Sequence, residues 1–258
     1  MTTLHVRCTI DGQEYSYEQL ARIQYERQLH VLHAMKRLGA TITHDDKVLS
    51  DDDINFLRTD EARAVCITAR EAYEPEGIKE LFRVQLQQSD QMWRELAQDF
   101  SEGDPMPASY TDLIVTGFSI DDMRKMNQDM EAMKRRGAAM NPEHYFVGTY
   151  ERGIHGMETF GMYGGPTEVK VVVDPNVKSP LVRDTSYPLA MSGSTILASD
   201  ETPIHIIPIH QFKPIENGIS VKLAVFWPTR TPQEIVDGHK IHLAIEFWES
   251  FRLASDAA

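Results

Sequence analysis

The stretch HKIHLAIEFWESF, residues 239–251, lies close to the end of the chain and reads as one turn after another of a helix. At about 100° per residue, His239, His242, Glu246 and Ser250 fall on one narrow stripe. Ile241, Ala244, Ile245, Phe247, Trp248 and Phe251 fill most of the remaining circumference, with Leu243 beside the stripe. A helix that faced water would carry Lys, Arg, Gln or Glu over a broad arc; between 241 and 248 only this His and this Glu are polar. Burying them costs several kcal/mol unless something satisfies them. A shared cation does so directly, because an imidazole and a carboxylate one turn apart can bind the same ion. The bland reading is a surface pair worth a few tenths of a kcal/mol.

A ligand pair needs further donors, and the segments upstream supply candidates. From about residue 143 the chain reads as short β-type runs: EHYFVGTYE, HGMETFGMY, TEVKVVVD, YPLAMSGSTILA, PIHIIPIHQFKP and ISVKLAVFW. Gly-Gly-Pro (164–166), Asp-Pro-Asn (174–176) and Glu-Asn-Gly (216–218) mark turns between them. About six antiparallel strands closed by a long terminal helix form an α+β layout, in which the sheet can curl around the helix and leave a cavity for an apolar ligand. Strand alternation puts His210 with Phe212 and sends His205 to the opposite face, so one of the two looks into that cavity. Spacing does not choose among His144, Glu151, His155 and Glu158.

The rest of the chain is mainly helical after a short opening strand, LHVRCTIDG, with Asp11-Gly12 as a turn signal. SYEQLARIQYERQLHVLHAMKRLG opens on Ser16 as an N-cap and stops at Gly39. DDDINFLRTDEARAVCITAREAY and GIKELFRVQLQQSDQMWRELAQDF read as two more helices, giving a mainly helical region over residues 1–102. His30 and His33 on the first helix have no partner at matched spacing. The Gly- and Pro-rich EGDPMPASY (102–110) marks a boundary, and residues 110–254 form the cavity-bearing domain. Just inside that domain, SIDDMRKMNQDMEAMKRRG reads as a helix with a stripe of Met123, Met126, Met130 and Met133, suited to a core or to a wall facing a greasy ligand.

Composition narrows the function. A chain of 258 residues with 41% hydrophobic content can bury a real core. A formal net charge of −13 argues against nucleic acid or an anionic membrane surface as partner. Cys8 and Cys66 have no metal-type spacing and fit buried thiols of a reducing compartment. With no signal-peptide pattern and no run of ~20 apolar residues, a cytoplasmic protein is expected. Nucleophile-elbow, phosphate-loop and dinucleotide motifs are absent. MSGST (191–195) sits inside a strand-like run and reads as a bulge or a small-residue wall.

Four segments in order carry a family resemblance: NPEHY behind the SIDDM helix, GMETFG, IHQFKPIENGISVKLAVFW, and HLAIEFWESFRLA. Together they resemble blocks of the diacetylphloroglucinol hydrolase and phloretin hydrolase family over about residues 113–253. The first hundred residues carry no such likeness, and methionines stand where the family has tryptophans in the helix before its first His. The resemblance implies a Bet v 1-like (helix-grip) fold holding a divalent metal, usually Zn2+, with His144, Glu158, His210, His242 and Glu246 as ligands. It selects His144 over His155 and Glu158 over Glu151, and it has no counterpart for His239, which is therefore left out. It also implies hydrolysis of a carbon–carbon bond between an acyl group and a polyphenol ring or β-diketone-like carbon, in a small aromatic ketone. Glu158, or a carboxylate released from the metal, would serve as general base. Tyr145, Tyr150, Tyr163 and Tyr187 are the candidate donors to ring hydroxyls. The competing expectations are a metal-free helix-grip domain that binds or cyclises an aromatic or polyketide ligand, and a non-haem iron oxygenase. Whether the N-terminal helices cover the cavity or pair two chains into a homodimer stays open at this level.

Overall fold

The structure is a computed structural model that describes residues 4–128, 137–162, 165–181 and 183–256. Met130, Met133 and Tyr163 lie outside the described residues, as does the side chain of Met126.

The chain opens with a hairpin, β1 (His5–Ile10) and β2 (Gln13–Tyr15), turned at Asp11-Gly12, both in the left-handed region. Helix α1 (Tyr17–Arg37) starts at a capping box in which the Ser16 hydroxyl accepts from the Gln19 amide while the Gln19 side chain accepts from Ser16. A small hairpin, β3 (Thr43–His44) with β4 (Lys47–Val48), follows. The segment from 51 to 73 is not one helix. It breaks into α2 (Asp51–Asn55) and the start of α3 (Thr59–Leu81), which itself kinks at Glu74, where Pro75 has no amide to donate. Helix α4 (Arg83–Gln98) completes the layer.

One nine-stranded antiparallel sheet carries the fold among the described residues, in the order β2-β1-β5-β11-β10-β9-β8-β7-β6. Strands β6 (His144–Tyr150), β7 (Gly153–Glu158), β8 (Thr167–Val173), β9 (Leu189–Leu197), β10 (Ile207–Ile215) and β11 (Gly218–Phe226) form a meander, each paired with the next. These are the six runs read from the sequence. Among the strands that reading lacks, the one that matters for the sheet is β5 (Ala108–Thr116), which joins β11 to β1 and so stitches the N-terminal hairpin into the same sheet. Its inward residues are Ser109, Thr111, Leu113 and Val115, all essentially fully buried. The two polar ones hide the alternation. Ser109 donates to the Val236 carbonyl at 2.6 Å and Thr111 to that of Lys240 at 2.8 Å, so both hydroxyls fasten the terminal helix to the sheet.

That terminal helix, Gln233–Asp256, lies against β5 and β1 on one side and closes a cavity of about 360 Å³ on the other. Helix α5 (Ile120–Gln128) contributes Met123 to the cavity wall. The N-terminal layer packs behind: α1 on α3, and α3 on β6. One apolar core joins Val6, Cys8 and Leu20 to Trp93, Trp227 and Phe251, so it spans both halves of the chain. No helix among the described residues is long and apolar enough to cross a membrane.

Candidate metal centre

His144 opens β6 directly across from Glu158 on β7, and antiparallel pairing sets such opposed side chains side by side on one face. The chain reaches His144 through a segment fixed from behind. Arg70 of α3 donates to the carbonyls of Ala138 (2.6 Å), Asn141 (3.0 Å) and His144. The terminal helix brings its own donors to the same point. Gly161, just past β7, has φ +88°, and a Cβ there would lie 2.2 Å from the Gly238 carbonyl carbon. Two glycines thus let the end of β7 approach the helix backbone closely, one residue before His239.

The result is a compact donor set. His144 Nε2 lies 3.0 Å from His242 Nε2, and the Glu158 Oε2 atom is 3.2 Å from both. Glu246 Oε2 is 3.9 Å from His242 Nε2, and the ligand atoms of His144, His242 and Glu246 all fall within 4.8 Å of one another. Ligands sharing a tetrahedral zinc ion at about 2.0–2.1 Å sit about 3.3 Å apart, so the His144–Glu158–His242 spacing matches a common cation. Glu246 would close the set after a small side-chain shift. His144 and His242 are buried, while Glu158 and Glu246 open onto the cavity.

Charges here are strongly coupled. Burial opposes a charge on His242, but Glu143 and Glu158 outweigh it and hold its pKa up at about 10. Burial likewise opposes the Glu158 carboxylate, and hydrogen bonds from His144 and His242 hold it well below the usual range. Glu246 goes the other way: burial raises it, against the pull of His144 and His242. Without a cation, an imidazolium on His242 lies between two carboxylates. A metal would take that proton's place, so its affinity would be set by competition with protons.

His210 lines the same cavity, as alternation with Phe212 requires, but it stands apart from this donor set. Its ring packs edge-on against Phe247 at 5.0 Å, and burial depresses its pKa to about 4. His205 precedes β10, with its ring on Phe100 at 4.7 Å. His155 points to the other face of the sheet, 2.8 Å from Glu168, and Glu151 is exposed in the β6–β7 turn.

The tyrosine expectation fails among the described residues, since none lines the cavity. Tyr145 packs against Phe82, Tyr150 has a buried hydroxyl off the cavity, and Tyr187 bonds Ser220 at 2.8 Å. Ser192 lies in β9 and donates to the Asp174 carbonyl, so MSGST is strand and not a nucleophile loop.

Two features lie outside the residue set expected from the sequence. His239 is buried, lines the cavity, and stacks nearly parallel on His242 with centroids 4.6 Å apart. Its position on the His242 stripe was the available signal. Glu143 accepts from His242 Nδ1 at 3.0 Å and from Arg27 of α1. A carboxylate beside a His in Pro-Glu-His was visible, but nothing in the sequence ties it to residue 242 or to residue 27.

No protein-family model matches this chain, and no curated protein sequence matches it. Among solved structures, it is similar to Ara h 8.0201 at 9% identity and a TM-score of 0.38, over 59% of this chain and 99% of that one. It is also similar to protein Ms6760 from Mycobacterium smegmatis at 12% identity and a TM-score of 0.32, over 57% of this chain and 87% of that one.

Proposed function

We propose that this chain is a metal-dependent hydrolase of helix-grip, Bet v 1-like design that cleaves the carbon–carbon bond between an acyl group and a polyphenol ring or β-diketone-like carbon. The single observation that carries the reading is the convergence of His144, Glu158 and His242 at 3.0–3.2 Å, with Glu246 beside them, at one end of an apolar cavity. His144, Glu158, His242 and Glu246 would hold the ion, most simply Zn2+. His210 is reassigned from ligand to cavity wall. Bound there, the metal supplies a Lewis acid for a carbonyl oxygen and lowers the pKa of water.

The remaining work falls to the chain. Phe160, Phe212, Phe247 and Phe251 line the cavity and exclude bulk water from a flat ring. Glu158 and Glu246 both open onto the cavity, so Glu158, or a carboxylate released from the metal, would take a proton as water adds to the acyl carbonyl. When the acyl–ring bond breaks, the electron pair goes to the ring carbon, and the same carboxyl returns its proton there. The products are a carboxylic acid and the deacylated ring, which balances one water consumed. Two buried free thiols suit the cytoplasmic location that belongs to this reading.

A second reading has its own support. His242 between Glu143 and Glu158 is a charge-paired cluster that needs no metal, which fits a domain that binds an aromatic ligand. Elemental analysis of the purified protein separates the two. Near one zinc per chain, lost in His242→Ala with Glu246→Gln, together with hydrolysis of acylphloroglucinols, phloretin or β-diketones, supports the hydrolase. A metal-free protein that binds these compounds unchanged sinks it.

A further inference from the structure

We infer that Arg27, on the first helix and far from the cavity in sequence, is a positioning residue that sets His242 for metal binding. The inference rests on the metal reading above and adds a role for the N-terminal helical layer.

The geometry is a relay of buried groups. The Arg27 guanidinium splits its two Nη groups between Glu143 Oε2, at 2.5 Å, and the Gly238 carbonyl, at 3.1 Å. The same Glu143 oxygen stands 3.0 Å from His242 Nδ1. The side chains of Arg27, Glu143 and His242 are 5%, 1% and 0% exposed, so water does not substitute for any of them. An acceptor fixed at Nδ1 requires a proton on that nitrogen, which directs Nε2 towards His144 and Glu158. Arg27 also grips the helix itself one turn before His242, through Gly238. Asn141 adds a parallel tie: its side chain donates to the His242 carbonyl at 3.1 Å while accepting from the Glu143 amide at 2.9 Å. The one guanidinium thus acts on both the helix backbone and, through Glu143, the orientation of the imidazole.

A planar fork suits this task and an ammonium does not, since a lysine delivers a point charge to one acceptor at a time. Glu143 Oε1 and Arg27 Nε are buried and lack partners among the described residues, so charge neutralisation is not spread over alternative contacts. Losing Arg27 would leave Glu143 free to turn and His242 free to rotate. Arg63 of α3 provides the contrast: it bonds the Ala139 carbonyl and Glu249 at 3.0 Å each and touches none of the donor set.

The test is zinc affinity, measured by chelator competition on the full chain, with the visible spectrum of the Co2+-loaded protein as the coordination signature. Arg27→Met and Glu143→Gln should each weaken zinc binding by about 10–100-fold and alter the cobalt spectrum, the usual scale for groups supporting a ligand. Arg27→Lys should recover part of the loss. Arg63→Met should lower Tm and leave zinc affinity and spectrum unchanged. Wild-type zinc affinity and an unaltered cobalt spectrum in folded Arg27→Lys and Glu143→Gln would overturn the positioning role while leaving the metal site standing. If Arg27→Met does not fold, Arg27→Lys and Glu143→Gln decide. A wild-type chain that binds neither ion overturns the metal reading, and this inference with it.

Discussion

The two sides of the terminal helix are built on opposite principles. Towards the cavity, the walls are apolar: Phe212, Phe247, Phe251, Leu243 and Val225 surround one polar corner. Towards the N-terminal layer, the helix and the segment before β6 are held by arginines, the buried Arg27 and Arg70 and the half-buried Arg63, each reaching backbone carbonyls or a carboxylate. Apolar walls tolerate changes of shape, because packing spreads a defect over many weak contacts. An arginine that serves several carbonyls has no such slack. The fold therefore keeps the cavity adaptable in front and the His144–Glu158–His242 cluster rigid from behind.

The sharpest attempt to break that contrast is Arg70→Met. It removes a donor from the carbonyls of Ala138, Asn141 and His144, of which Asn141 keeps the His144 amide at 3.2 Å; at about 1–3 kcal/mol for each group left unpaired, the loss is roughly 4 kcal/mol. Denaturant unfolding should show the loss, and zinc affinity should fall with it because His144 sits on the released segment. Unchanged zinc affinity in a destabilised Arg70→Met would mean that the rear layer supports the fold and not the site.

Phe212→Ala probes the front. Phe212 is 1% exposed, and its removal should cost about 3–4 kcal/mol of stability. Zinc affinity should stay within a factor of two or so of wild type, as no donor rests on this ring, while affinity for a bound aromatic ketone should drop. The contrast fails if Phe212→Ala loses metal as readily as Arg70→Met.

Acidity offers a third handle, on the metal-free protein. The His242 pKa stands raised from 6.5 to about 10, so the stability it contributes is complete below pH 6.5 and disappears as pH climbs through 10. Glu158, held low, contributes above its ordinary value near 4.5 and loses that contribution as pH falls further. Comparing Tm at pH 6 and pH 10 after chelation, wild type should lose roughly 5 °C more than His242→Gln. Equal losses would show that His242 is not the proton the cluster holds.

How much of this was legible follows the same division. Period-two and period-3.6 patterns announce apolar faces, so the six meander strands, α1 and the terminal helix could be read directly. His242 and Glu246 stood out because a polar pair on a greasy helix is anomalous. Strand β5 was not legible, because Ser109 and Thr111 occupy inward positions and their hydroxyls serve helix carbonyls more than a hundred residues away. The Arg27–Glu143–His242 relay was not legible for the same reason: it joins three distant segments, and no local pattern records such a bond. His210 shows the converse limit. Alternation placed it on the right face, but which inward histidine joins the cluster depends on where the helix sets His242, whose ring lies beside His144 of β6 and Glu158 of β7.

The smallest expected effect is a control on the rear layer. Ser16 caps α1, accepting from the Gln19 amide at 3.3 Å while Gln19 answers at 2.8 Å, and all of this is exposed. Ser16→Ala should cost about 1 kcal/mol, the ordinary value of an N-cap. Arg27 lies three turns further along the same helix, where α1 rests on α3 and the terminal helix. Fraying at the first turn should not reach it, because those later turns are held by tertiary packing, which dominates helix stability in proteins. Zinc affinity in Ser16→Ala should therefore equal that of wild type despite the lower Tm. A parallel fall in metal affinity would show that any loosening of α1 is felt at His242. The arginine layer would then transmit helix stability to the site instead of holding it locally.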